Sequence, residues 1–355
     1  MSLAQLSLRN VRSLASADVE LHPRCNLVWG ANGSGKTSFL ESIYLLGRGR
    51  SFRTRNTVRL IRHGQTDLTV FGRTDSISAQ TLGFQVSRGG ETVAKIGGAH
   101  VDSLAELSEI LPVQVIEPGV HKLVEESAQR RRRWLDWGVF HVERAFMVHW
   151  ARYTRALKQR NAALRREPAQ SGLWDAQLIE QGLALHASRE AFIAALQPHW
   201  QDTVEALLGT SVELSLAPGW NRELSLGEAL HASAERDRLR GLTHAGPHRA
   251  DVVLKLDGRP ARDVLSRGQQ KLVAAALILA QLKLLAARER GGEAAAVLLL
   301  DDPAAELDRD RLAAFVTQVQ RSECQLILTS LTPEQALFGS PDRVFHVEQG
   351  GVRPV

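Results

Sequence analysis

Gly30-Ala31-Asn32-Gly33-Ser34-Gly35-Lys36-Thr37 stands directly after the apolar Leu27-Val28-Trp29 and before a helical pattern that begins with Ser38. A strand, a glycine-rich loop and a helix start in that order make a cradle for phosphate. The glycines let backbone N–H groups turn inward, Lys36 brings a mobile positive charge to the β and γ oxygens, and the Thr37 hydroxyl suits a Mg²⁺ position. The positive end of the helix adds to the attraction. A nucleoside triphosphate is the expected ligand, with Gly30 to Ser38 around it. Far along the chain, Ala294 to Leu300 is a continuous apolar run that ends in Asp301-Asp302. A strand buried on both faces delivers acids to a sheet edge in this way. Asp301 is expected to hold Mg²⁺ or its water, and Asp302 to polarise the water that attacks the γ-phosphate. Lys36 and Asp302 are thus the expected catalytic residues. The alternative for the paired acids is a helix cap ahead of Pro303.

The elements that must carry these groups are also readable. Leu3 to Leu8 alternates apolar and polar residues, Val19 and Leu21 continue the pattern, and Leu27 to Trp29 leads into the loop. The helix after it carries Phe39, Leu40, Ile43, Leu45 and Leu46 and is expected to end at Gly47. Leu68 to Phe71, Leu82 to Val86 and Val93 to Ile96 read as short antiparallel strands. From about Glu125 to Arg240 the period becomes helical, with Trp150, Tyr153, Leu157 and Leu164 spaced to share one face. Val252 to Leu256 is a strand, after which α/β character returns. The expected division is one lobe of residues 1–124 and 241–355 with residues 125–240 inserted as a helical lobe.

The 355 residues are 44% apolar and 23% charged, an ordinary globular balance. Forty-four Lys and Arg against thirty-nine Asp and Glu leave +5, an excess that favours polyanionic partners where it is clustered. Cys25 and Cys324 suit buried thiols in a reducing compartment better than a disulfide framework. No basic segment followed by an apolar one opens the chain, so a cytosolic location is expected. Val273 to Ala287, interrupted by Gln281 and Lys283, falls short of the roughly twenty residues of a membrane span and reads as a buried helix.

Leu265-Ser266-Arg267-Gly268-Gln269-Gln270-Lys271 precedes that apolar helix and resembles the signature motif of ABC-type ATPases. The resemblance implies that Ser266, Gly268 and Gln269 contact the γ-phosphate of ATP held by a second subunit; a serine cap on an ordinary helix is the alternative. Ala305-Glu306-Leu307-Asp308 resembles the D-loop of the same superfamily, and Thr329-Ser330-Leu331-Thr332 lacks the histidine that many ABC-type transporters carry there. About 230 residues separate Thr37 from the signature. With Ser51-Phe52-Arg53, Arg131-Arg132-Arg133-Trp134-Leu135-Asp136, Gly246-Pro247-His248-Arg249 and Asp301-Asp302, the whole chain resembles the RecF family of bacterial recombination mediator ATPases. That resemblance implies an α/β fold: an ABC-type P-loop ATPase head with a mixed and an antiparallel sheet, plus an inserted, mainly α-helical lobe. It further implies ATP and Mg²⁺ as ligands, an ATP-dependent homodimer, weak DNA-stimulated hydrolysis, duplex or gapped DNA and RecR as partners, and no membrane. The nucleotide-binding subunit of an ABC transporter shares three of the motifs and is the alternative.

Arg48, Arg50, Arg53 and Arg55 crowd a polar stretch read as solvent-facing and as a DNA-phosphate contact. The arginines between Arg130 and Arg166 divide between DNA, an acidic partner and internal pairing with Glu143 or Asp136. Gln114 is either a metal-loop glutamine or a solvent-facing strand residue, and His248 either approaches a ligand or is structural.

Overall fold

A computed structural model describes residues 2–75, 79–288, 295–303, 308–333 and 338–355. The chain divides into two compact units, Met1–Val120 with Ile278–Val355, and His121–Leu277.

The first unit begins with β1 (Ser2–Val11), β2 (Leu14–Glu20) and β3 (Cys25–Trp29), then α1 (Lys36–Arg48). Strands β4 (Asp67–Asp75), β5 (Thr81–Ser87), β6 (Thr92–Ile96) and β7 (Ala99–His100) follow, then α2 (Ala105–Ile110) and β8 (Val113–Ile116). The second unit holds α3 (Lys122–Glu125), α4 (Ala128–Val142), α5 (Phe146–Arg166), α6 (Asp175–Leu208), β9 (Glu213–Ala217), α7 (Leu226–Arg240), β10 (Asp251–Leu256), β11 (Arg259–Pro260) and α8 (Ala261–Val264). Helix α9 (Arg267–Arg288) carries the chain from the second unit to the first, which closes with β12 (Val297–Leu300), α10 (Arg309–Gln320), β13 (Gln325–Ser330), β14 (Arg343–Glu348) and β15 (Gly351–Pro354).

Twelve strands form one sheet in the order β7-β6-β5-β4-β1-β2-β15-β14-β3-β13-β12-β8. Strands β7 to β2 pair antiparallel, whereas β14, β3, β13, β12 and β8 run parallel. The mixed and the antiparallel sheet expected from the resemblance are therefore two blocks of one sheet, joined by a single parallel ladder pair, Gly351 with Ser16. Residue patterns follow the two environments. Leu6, Leu8 and Val11 in β1 bury one face, and a register shift between Leu3 and Gln5 lets Leu3 join them. Val297 to Leu300 is buried at every position, as a parallel strand covered on both sides requires. Helix α1 lays Phe39, Leu40, Ile43 and Leu46 into the core that these strands share. It does not end at Gly47. Gly47 lies inside the helix, where a Cβ would lie 2.4 Å from the Val113 side chain, and the helix runs to Arg48 before closing on left-handed Gly49, two residues beyond Gly47.

In the second unit, β9, β10 and β11 form a three-stranded antiparallel sheet. The segment expected to be mainly helical also contributes β9, whose Leu214 and Leu216 alternate inward opposite β10. The surrounding helices bury Tyr153, Ala156 and Leu164 of α5, while Trp150 stands off that face at 40% exposure. Charged groups inside this unit are closely paired. Arg160 donates to Asp237 (2.8 Å), Asp175 (2.7 Å) and the Thr243 hydroxyl (2.9 Å), and Arg189 donates to Asp136 and to the Pro247 carbonyl. Arg131 holds Asp251 through two nitrogens at 2.8 and 2.9 Å. The second arginine cluster therefore splits: Arg131 and Arg160 are internal, and Arg152, Arg155 and Arg166 are exposed. Helix α9 is the one described helix long and apolar enough to cross a membrane, and 83% of that stretch is buried inside the protein.

Candidate nucleotide site

Adjacent parallel strands β3, β13 and β12 deliver the phosphate loop, Thr329 and Asp301 to their carboxyl ends, where ligands of open α/β sheets bind. Gly35 joins loop to helix at φ +122°, and a Cβ there would lie 2.7 Å from Leu14 and 2.9 Å from Ser13, so the β1–β2 turn packs directly on it. Lys36 is folded back onto its own loop, with Nζ donating to the carbonyls of Gly30 (2.7 Å) and Ala31 (3.0 Å). Burial lowers its pKa, and Asp302 and Asp301 pull the other way.

The Thr37 hydroxyl is 3.0 Å from both carboxylate oxygens of Asp301. Thr329 completes this arrangement. Its hydroxyl reaches Asp301 at 3.1 Å and accepts the Asp302 N–H at 2.8 Å. Burial raises the Asp301 pKa, opposed by the two threonine hydroxyls and by the positive charge of Arg53. Asp302 has left-handed backbone, φ +52°. Neither acid caps α10, whose N-cap is Asp308 accepting the Arg311 N–H at 2.9 Å. The expected D-loop residues Ala305, Glu306 and Leu307 lie outside the described residues.

These groups fit a phosphate and its cation. Among the described residues, Ser34 Oγ is buried with no hydrogen-bond partner, Lys36 spends its protons on loop carbonyls, and Asp301 is desolvated beside two hydroxyls. Among the described residues no three His, Cys, Asp or Glu cluster to hold a metal by themselves. A cation here would share oxygen ligands with phosphate.

The signature segment lies in the second unit. Ser266 and Gln269 cap each other: the Gln269 side chain accepts the Ser266 N–H at 2.9 Å, and the Ser266 hydroxyl accepts the Gln269 N–H at 3.4 Å. Ser266 is exposed and the space beside Gly268 is open. Gln270 pins the preceding turn by donating to the Arg262 and Leu265 carbonyls.

Several sequence expectations fall elsewhere. Gln114 is neither solvent-facing nor in a metal loop, because it is buried and donates to Gln281 at 3.1 Å. Arg48 is not solvent-facing; burial pushes its guanidinium down to about 10, and it lies over the Tyr44 ring, 5.7 Å from the centroid. Arg50, Arg53 and Arg55 are exposed. His248 is structural. Its Nδ1 meets the Tyr153 hydroxyl at 2.7 Å and its Nε2 meets the Thr243 carbonyl at 3.0 Å, so Nε2 carries the proton. Thr329 was visible only as part of a hydroxyl run. The parallel register that sets Leu300 beside Leu328 is what aims it at Asp301.

Comparison with known proteins agrees with this geometry. The family model described as RecF/RecN/SMC N terminal domain matches residues 2–351. The DNA replication and repair protein RecF of Pseudomonas savastanoi pv. phaseolicola is 41% identical, with 99% of this chain and 98% of that protein covered. The RecF of Cellvibrio japonicus is 39% identical, with 99% of each covered. A solved structure of the recombination mediator protein RecF-ATP in the RecFOR pathway has a TM-score of 0.88 at 25% identity, covering 100% of this chain and 97% of that one. An Smc head bound to the C-winged helix domain of ScpA shares the fold alone, at a TM-score of 0.61 and 16% identity. These matches do not favour the transporter alternative. A mixed α/β head, a phosphate loop facing a half-buried aspartate, and relatives matched over nearly their full length lead to one assignment: the chain belongs to the RecF family within the RecF/RecN/SMC N-terminal domain proteins.

Proposed function

We propose that the chain is a DNA-repair ATPase that binds ATP between two copies of itself. The phosphates lie in the loop from Gly30 to Ser38, Lys36 leaves the Gly30 and Ala31 carbonyls for the β and γ oxygens, and Ser266, Gly268 and Gln269 of the second copy close over the γ-phosphate. Mg²⁺, held by Thr37 and Asp301, would supply positive charge against the phosphate oxygens. Asp302 polarises the attacking water. The observation that carries this reading is Asp301 held by Thr37 and Thr329 at the mouth of the loop.

The similarity to RecF, a DNA replication and repair protein of the RecFOR pathway, supports DNA and RecR as partners; the cytoplasm is the location we assign with them. Duplex or gapped DNA meets Arg50, Arg53 and Arg55, with Arg48 behind them. ATP closes the dimer on DNA, slow DNA-stimulated hydrolysis reopens it, and recombinase is loaded at replication gaps. In this reading residues 1–124 and 241–355 act as the ATPase lobe and 125–240 as its insertion. Light scattering with a slowly hydrolysed ATP analogue tests the scheme. The mass should double for the wild type, stay monomeric for Ser266→Arg, and persist on DNA for Asp302→Asn with ATP. An unchanged wild-type mass at saturating nucleotide overturns it.

A further inference from the structure

Glu41 lies one helical turn beyond Thr37 on α1, and its side chain is 0% exposed. A carboxylate is kept that deep only when it is paired. Among the described residues its side-chain partners are two. Arg12 grips it through Nε at 2.5 Å and Nη2 at 3.2 Å, and the Ser51 hydroxyl donates to the oxygen Oε1. With its one proton spent on Glu41, Ser51 Oγ uses its lone pairs to accept the N–H groups of Arg53 and Thr54, each at 3.0 Å. Arg12 belongs to the β1–β2 turn, whose next two residues, Ser13 and Leu14, lie against Gly35. One buried carboxylate therefore ties the helix after the phosphate loop to the turn beneath that loop and to the segment that carries Arg53.

We propose that Glu41 is a positioning residue of the nucleotide site: through Ser51 it holds Arg53 on the Asp301 side of the pocket, and through Arg12 it holds the β1–β2 turn against the phosphate loop. The link to catalysis rests on the ATPase reading above; the link to geometry does not. Glu41 touches no phosphate and acts only through these partners. Arg53 is itself exposed and stands near enough to act on the Asp301 carboxylate. Among the described residues, the hydrogen bond recorded for Arg53 is that of its backbone N–H to Ser51, so the Ser51 anchor helps fix where its charge is presented.

Two measurements decide the matter. The first is amide hydrogen exchange of nucleotide-free wild type, Glu41→Gln and Ser51→Ala. The clasp predicts faster exchange at residues 51–56 in both variants, with β3 and β13 unchanged. If Glu41→Gln unfolds, Ser51→Ala, which leaves the Arg12–Glu41 pair intact, carries this arm. Unchanged exchange at 51–56 in the folded variants overturns the proposal whatever the protein does with ATP. The second is steady-state ATP turnover in a double-mutant cycle. Glu41→Gln should lower kcat by about tenfold with KM moved less than about threefold, and in an Arg53→Ala background should lower it further by clearly less than tenfold, the remainder being the Arg12 arm. Losses that multiply would show that Glu41 does not act through Arg53. If the wild type hydrolyses no ATP, the ATPase reading falls, and the exchange arm alone decides the clasp.

Discussion

Two polar clusters in this protein are built to opposite rules. Around Asp237 in the second unit, every buried charge meets its counterpart within the chain: Arg160 has Asp237, Asp175 and Thr243, and His244 gives both its backbone N–H and its ring to Asp237. At the phosphate loop, among the described residues, Lys36 donates only to carbonyls, Ser34 Oγ has no partner, and half-buried Asp301 lies beside hydroxyls rather than a contacting cation. A finished network holds a fold together. An unfinished one marks where something from outside completes the set of charges.

The sharpest way to break the contrast is to break each cluster and ask what is lost. Arg160→Met leaves Asp237 buried without its guanidinium and should cost about 3–5 kcal/mol of stability in denaturant unfolding, with ATP affinity unchanged. Lys36→Ala should do the reverse. ATP affinity falls by at least about 100-fold, roughly 2.7 kcal/mol by calorimetry, at an unchanged unfolding midpoint. A loss of stability there would mean that the loop lysine is structural.

A smaller effect separates the clusters by pH. Burial pushes His248 down to about 4, with Arg249 and Arg132 adding to the shift and the Thr243 carbonyl opposing it. Its folded value lies below the unfolded value near 6.5, so the unfolded chain takes the proton first. Stability should be full above about pH 6.5 and decline by roughly 2 kcal/mol as pH falls toward 4, a slope that His248→Asn flattens. Smallest is Asp301→Asn. Removing a desolvated charge should raise stability by about 1 kcal/mol while abolishing Mg-ATP binding, the mark of a residue kept for its ligand.

What could be read in advance follows the range of the interaction. The phosphate loop is local in sequence, and its glycines, Lys36 and Thr37 sit as their spacing implied. The buried run before Asp301-Asp302 likewise announced a parallel strand. Thr329 was not legible as the partner of Asp301, because 28 residues and a strand register intervene. Nor was the Glu41–Ser51 contact, since a glutamate in an amphipathic helix ordinarily faces water. Strand β9 hid among helices because five residues with two inward leucines carry too short a period to stand out. Gly47 gave a false helix end for a different reason: glycine serves close packing as readily as it serves a cap.

The junction between β2 and β15 carries a last implication. Ten strand neighbours in the large sheet are stitched by longer ladders or a tight hairpin, whereas this seam has one ladder pair, Gly351 with Ser16, and beside it the Ala15 N–H donating to the Gly350 carbonyl at 2.8 Å. A line of weak lateral bonding is the most compliant direction of a sheet. Ser16 follows within three residues of Ser13, and Ser13 lies on Gly35. The same short turn, Ser13 to Ser16, thus touches both the last strand of the chain and the glycine that opens the helix of the phosphate cradle.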